Sequence, residues 1–126
     1  MKLFDLVERE ETEVVFIRCA DELGAMRDAW SRLEEVVPLR GNRFFGTFDG
    51  HEYRACAAAD AEGLERGVIP GGRYARMRLR GEAPAVYERI APTVDALEAA
   101  VEVDRTRPVV EFYRRHDEID VLVPIV

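Results

Sequence analysis

Glu111 is the residue whose surroundings most suggest chemistry. It interrupts an apolar run, Val109-Val110-Glu111-Phe112-Tyr113. In an extended chain successive side chains point to opposite faces. Glu111 therefore shares one face with Val109 and Tyr113, and Val110 shares the other with Phe112. A carboxylate among apolar groups is costly unless it is paired or protonated. Two readings follow. In one, Arg76 or Arg78 on a neighbouring strand takes the charge in a structural ion pair. In the other, Val110 and Phe112 pack on the helices and Glu111 faces a cleft, where a cationic ligand would relieve the cost.

Aromatic rings would complete such a cleft, because their faces attract cations and stack on planar molecules. Trp30, Phe48, Tyr53, Tyr74 and Tyr113 are the candidates. Each has a plainer alternative. Trp30 lies on a helical apolar stripe and fits ordinary core packing, and Tyr53 and Tyr74 fit half-exposed strand positions. The other reactive residue types do not assemble. His51 and His116 fall in hairpin turns, and His116-Asp117-Glu118 reads as a solvated turn. Cys19 and Cys56 sit among apolar neighbours and read as buried free thiols. No Cys, His, Asp or Glu spacing matches a metal site, and no cofactor fingerprint is present, so neither metal nor cofactor is expected. There is no nucleophile elbow and no phosphate-cradling loop. Gly71-Gly72 precedes a strand, which removes it as a helix-terminal anion nest. Arg73, Arg76, Arg78 and Arg80 alternate with core residues and read as a solvated or salt-bridged strand face.

The chain as a whole sets further bounds. Its 126 residues predict one domain, residues 1–126, able to bury a core without disulfides. A net charge of −7 argues against nucleic acid, which needs a basic surface. No apolar run approaches the roughly 20 residues that span a bilayer, so no membrane partner is expected. Met1-Lys2-Leu3-Phe4-Asp5 lacks the pattern of a secretory signal, and the expected location is the cytoplasm.

The elements that must position the candidate residues follow from periodicity. Residues 14–19 are strand-like, and residues 3–7 suit an edge strand. Asp21 suits a helix N-cap, and Leu23, Met26, Trp30, Leu33 and Val37 then recur at helical steps until Pro38 and Gly41. Strands over 43–48 and 53–59 follow, joined at Asp49-Gly50. Residues 60–72 read as a loop ending in Ile69-Pro70-Gly71-Gly72. The plan then repeats: a strand over 73–80, a helix striped by Val86, Ile90, Val94, Leu97 and Val101 and divided or kinked at Pro92, and strands over 109–113 and 119–125. Equivalent positions lie about 65 residues apart (109 − 44 = 65; 97 − 33 = 64), and Phe48 matches Tyr113 at that offset. The prediction is an α+β fold of tandem, pseudo-twofold β-α-β-β repeats, over about 12–60 and 71–126. An antiparallel sheet would carry both helices on one face, with Leu23, Met26, Leu33, Ile90, Val94 and Leu97 buried. A ligand cleft would lie between the halves, the opposite face being free to curve around a ligand.

Within that plan, Ile69-Pro70-Gly71-Gly72-Arg73-Tyr74-Ala75, Gly81, Val110-Glu111-Phe112-Tyr113 and Val121-Leu122-Val123-Pro124-Ile125 resemble the second half of GyrI-like domains. These include the effector-binding domains of bacterial multidrug-sensing transcription activators. Trp30, Phe44-Phe45-Gly46 and Tyr53-Arg54-Ala55-Cys56 fit the first half. The resemblance runs from about Val14 to Val126. It implies a tandem β-α-β-β fold with an aromatic-lined pocket between the halves, and an acid at its base that meets cationic aromatic drugs; the matching acid is Glu111. The chain shows no fused DNA-binding region and is shorter than the usual member. The resemblance implies, first, a stand-alone binding protein for amphipathic cationic or aromatic small molecules. It next allows a hydrolase of cyclopropane-bearing, DNA-alkylating antibiotics, with Glu111 and Tyr113 as the catalytic pair. Last comes an inhibitor of DNA gyrase, for which the acids here are too dispersed. A second general base near Glu111 would favour the enzyme, and a closed apolar cage plain binding.

Overall fold

Alternating apolar runs become strands wherever the chain can bury one side of them. The computed structural model describes residues 4–115 and 117–126. Its strands are β1 (Asp5–Arg9), β2 (Thr12–Ala20), β3 (Phe44–Phe48), β4 (Glu52–Ala57), β5 (Glu65–Ile69), β6 (Gly72–Arg80), β7 (Val109–Arg115) and β8 (Glu118–Pro124). Helix α1 (Leu23–Val36) follows β2; a 3-10 helix (Ala85–Arg89) and α2 (Ile90–Ala100) follow β6. All eight strands join one antiparallel sheet in the order β1-β6-β8-β7-β3-β4-β2-β5. The α+β architecture is the one expected.

Both helices cover the same face. Ala29, Leu33 and Val37 of the α1 segment pack on Val15, Ile17, Tyr53, Ala55 and Ala57. Val86, Ile90 and Leu97 pack on Ala75, Leu79, Ile119, Val121 and Val123. The alternate residues of the same strands, among them Val14, Phe16, Phe45, Cys56, Tyr74, Val110 and Leu122, form a third cluster on the other face. That face does curve, but around its own core, which corrects the expectation of an open ligand surface there. Val110 and Phe112 lie in this third cluster, away from the helices. Glu111 therefore stands on the helix-bearing face, opposite to the side that the cleft reading required.

The curl follows from two short links. β1 lies at one edge of the sheet and β2 one strand in from the other, yet only Glu10 and Glu11 join them. Pro70 and Gly71 likewise join β5 to β6. The two links meet: a Cβ on Gly71 would lie 2.8 Å from the Glu11 nitrogen and 2.9 Å from the Arg9 carbonyl oxygen, so only glycine fits. Each edge strand thereby pairs with the opposite repeat. Asp5 faces Arg76 in the β1–β6 ladder, and Glu65 faces Phe16 in the β5–β2 ladder. The two ladders superpose on one offset (65 − 5 = 60; 76 − 16 = 60).

Four details depart from the sequence expectation. β5 occupies the segment read as a loop; its sequence holds a glycine, and Gly67 is needed because a Cβ there would lie 2.8 Å from the Phe16 ring. Glu22 takes the N-cap position of α1 in place of Asp21, and no side chain caps the helix. Leu23, in the first turn, is 60% exposed and not core. Met26 and Val94 are only partly buried. Pro92 does mark a divided helix. It is the third residue of α2, where its missing N–H would find no intrahelical partner. Of the expected edge strand, Leu3 lies outside the described residues, as does His116.

Candidate functional site

β3 and β7 meet at the middle of the sheet, where the two repeats join. Their register sets Phe44 opposite Tyr113, Gly46 opposite Glu111 and Phe48 opposite Val109. Gly46 and Glu111 are also equivalent residues of the two repeats (111 − 46 = 65). The pseudo-twofold axis therefore passes through this pair. Only one of two side chains can stand over such an axis. A Cβ on Gly46 would come within 2.5 Å of Glu111 Oε1 and closer still to the Tyr53 hydroxyl. The missing side chain of Gly46 is the space that the carboxylate and this phenol share.

Two tyrosines fix the carboxylate. Tyr53, on β4, and Tyr113, on β7, both donate to Glu111 Oε1, at 2.9 Å and 2.6 Å. Trp30, on α1, donates its indole N–H to the Tyr53 hydroxyl oxygen at 3.2 Å. The chain of donors runs from helix to strand to carboxylate, each bond polarising the next. A row of rings lies over it. Tyr113 meets Trp30 edge-on at 5.3 Å between centroids, and Tyr87 of the 3-10 helix meets Tyr113 at 6.3 Å. Phe44 extends the row at 6.2 Å from Trp30. The row bridges the gap between α1 and the 3-10 helix.

The electrostatics follow from enclosure. Burial pushes the Glu111 carboxyl above its usual 4.5; the hydrogen bonds from Tyr113 and Tyr53 oppose that rise, and the charge of Asp21 adds to it. Burial, then the Glu111 charge, holds both phenols well above 10, so both remain donors. No described Arg, Lys or His pairs with Glu111. Arg78 pairs instead with Asp120 at 2.7 Å and Glu118 at 3.0 Å, and Arg76 with Asp5 at 3.2 Å. The ion-pair alternative for Glu111 is thereby removed. The site can hold a negative charge, in a fixed place, beneath aromatic surface.

The structure brings together Glu111, Tyr113, Tyr53 and Trp30. Phe48 packs nearby in the α1 cluster, without a polar role. Tyr74 is not with them. It is fully buried in the third cluster, donates to the Pro70 carbonyl at 2.6 Å and lies 5.0 Å beneath the Arg107 guanidinium. Sequence reasoning missed Gly46, Tyr87 and Asp21. Gly46 was within reach, since the offset that pairs Phe48 with Tyr113 also pairs Gly46 with Glu111. Tyr87 falls off the apolar stripe of its helix, and 46% of it is exposed. Cys19 is partly exposed and not buried; Cys56 is buried, which pushes its thiol up to about 12.

The described hollows lie elsewhere. A cavity of about 190 Å³ opens between Phe16, Arg54, Ile69 and Arg107, and an open depression of about 1200 Å³ runs along the β1 and β5 edges. Neither reaches Glu111. Over Glu111 the rings touch, so a planar guest must part Trp30 or Tyr87 from Tyr113.

Similar folds occur among solved structures. An integron cassette protein from the mobile metagenome of Vibrio cholerae aligns with a TM-score of 0.81 and 12% identity, over 98% of this chain and 95% of that one. SAV2435 bound to tetraphenylphosphonium aligns with a TM-score of 0.72 and 13% identity, over 99% of this chain and 94% of that one. The EcmrR C-terminal domain aligns with a TM-score of 0.61 and 14% identity, over 99% and 100%. The likeness is one of fold. No protein-family model matches the sequence, and no curated protein matches it. No helix among the described residues is long and apolar enough to cross a membrane.

Proposed function

We propose that this chain binds amphipathic small molecules, cationic or aromatic, over Glu111 in the gap between α1 and the 3-10 helix. One observation carries the reading: a carboxylate at the centre of the sheet, locked by two phenols, has no cation among the described residues. An unpaired charge in a low-dielectric place attracts a cation more strongly than the same charge in water. The Trp30, Tyr113 and Tyr87 rings offer stacking and cation–π surface. The fold shared with SAV2435, whose structure holds tetraphenylphosphonium, supports the reading. Plain binding is preferred to hydrolysis because both phenols are donors committed to one carboxylate oxygen, and no second base contacts Glu111 among the described residues.

The test is a calorimetric titration of tetraphenylphosphonium and of neutral triphenylphosphine oxide into the wild type and Glu111→Gln. The cation should weaken by about 2 kcal/mol in the variant, the low end for losing one partner of a buried charge pair, and the neutral compound should change little. Trp30 emission should shift on binding. Equal losses for both compounds, or no binding of the cation to the wild type, would remove Glu111 as a ligand-facing charge.

A further inference from the structure

The two oxygens of Glu111 are not equivalent. Oε1 accepts from both Tyr53 and Tyr113 and faces Gly46, which leaves it no room for a third partner. No described residue donates to Oε2. The one side-chain atom found both buried and unpartnered among the described residues is Arg76 Nε, so Oε2 keeps contact with solvent. Glu111 itself is partly accessible. The site therefore presents a single acceptor, already ionic and already oriented.

We infer that the site prefers a cation that carries an N–H donor, such as a protonated amine or amidine, seated on Glu111 Oε2 beneath the Trp30 and Tyr87 rings. This rests on the function proposed above and narrows its ligand class. A ligand that covers Glu111 strips water from Oε2. A protonated amine replaces that water with a short, charge-assisted hydrogen bond. A fully alkylated onium ion has no hydrogen to give, so it gains attraction through space but leaves a buried acceptor unsatisfied, which is costly. Neither phenol can make up the loss, because both hydroxyl protons are spent on Oε1. The Asp21 charge, felt at Glu111, favours cations of both kinds and so does not separate them.

A pair of probes with one ring system isolates the hydrogen bond. N,N-dimethyl-2-naphthylmethylamine, protonated near neutral pH, and its N-methylated quaternary salt differ by one methyl group. Titrated calorimetrically into the wild type, the amine should bind about ten-fold tighter, the scale of one charge-assisted hydrogen bond. In Glu111→Gln both should weaken, and the preference should shrink to within about three-fold. Equal binding, or tighter binding of the quaternary salt, would overturn the inference and leave the proposed function standing. Failure of both naphthyl probes while tetraphenylphosphonium still binds would also overturn it alone. Failure of all three would overturn the function as well.

Discussion

Arg18 and Arg78 stand at equivalent places in the two repeats (78 − 18 = 60), and each gathers two carboxylates. Arg18 holds Glu65 at 2.8 Å and Glu52 at 3.3 Å, with half of the Arg18 and Glu65 side chains in water. Arg78 holds Asp120 and Glu118, whose side chains are 3% and 10% exposed. Glu52 and Glu118 are themselves equivalent (118 − 52 = 66). Asp120 has no acidic counterpart: the matching residue is Arg54 (120 − 54 = 66), which stacks 4.3 Å over Phe16. One repeat thus keeps its ion pairs in solvent, while the other has drawn an extra carboxylate inside, with Arg114 as a second cation 4.0 Å away. Similar geometry in the two places does not mean similar energy. Exposed pairs contribute little, but removing one partner of a buried pair strands the other.

The sharpest way to break the contrast is to neutralise one acid in each set. Asp120→Asn should cost about 3–5 kcal/mol in urea unfolding, because Arg78 is left with an inadequate partner. Glu65→Gln should leave the midpoint nearly where it was. Equal effects would mean that burial does not set the worth of these pairs.

A second contrast lies on the axis, between Gly46 and Glu111. Gly46→Ala should cost about 1–3 kcal/mol by overpacking and should disturb both phenol hydrogen bonds. In a Glu111→Ala background the same change should cost at least about 1 kcal/mol less, since the phenols can move into the vacated space. Additive costs in the cycle would show that Gly46 is required for a reason unrelated to the carboxylate.

The smallest expected effect concerns pH. Burial raises the Glu111 carboxyl above 4.5, so the fold binds its proton more tightly than the unfolded chain does. Its contribution is fully present below 4.5 and is lost as pH rises through the raised value. Glu111→Gln has no such loss. Thermal unfolding should therefore show the variant gaining on the wild type between about pH 4 and pH 7, the interval that spans the usual glutamate range. A difference that stays flat with pH would place the carboxylate in a more water-like setting than the structure does.

Much of this architecture is legible in the residues. The apolar stripes of Leu33 and Leu97, and the offset that joins them, give two repeats with helices on one face. Alternation correctly groups Val109, Glu111 and Tyr113. It cannot say which group the helices cover, because Val110 and Phe112 are as apolar as the alternatives; that choice is made by the curl of the sheet. Tyr74 and Tyr53 show the same limit. Both are strand tyrosines, one hydrogen-bonded to the carboxylate and the other sealed on the far side against Pro70 and Arg107. β5 escapes notice because a lone edge strand with a central glycine has no pattern of its own, and its hydrogen bonds to β2 define it.

The crossed links at Gly71 have a consequence for how the chain is made. β1 pairs with β6, in a ladder whose partners include Asp5 with Arg76, and β5 pairs back onto β2. During synthesis the first repeat must wait, one flank unmatched, until β6 has left the ribosome. Contacts so distant in sequence are closed late and at an entropic cost. A nascent chain halted just after β4 would show its strand edges to its neighbours, the condition in which strands find the wrong partner. The finished fold is the reverse. Each repeat holds the other's outermost strand, so neither can be peeled away without unpicking both.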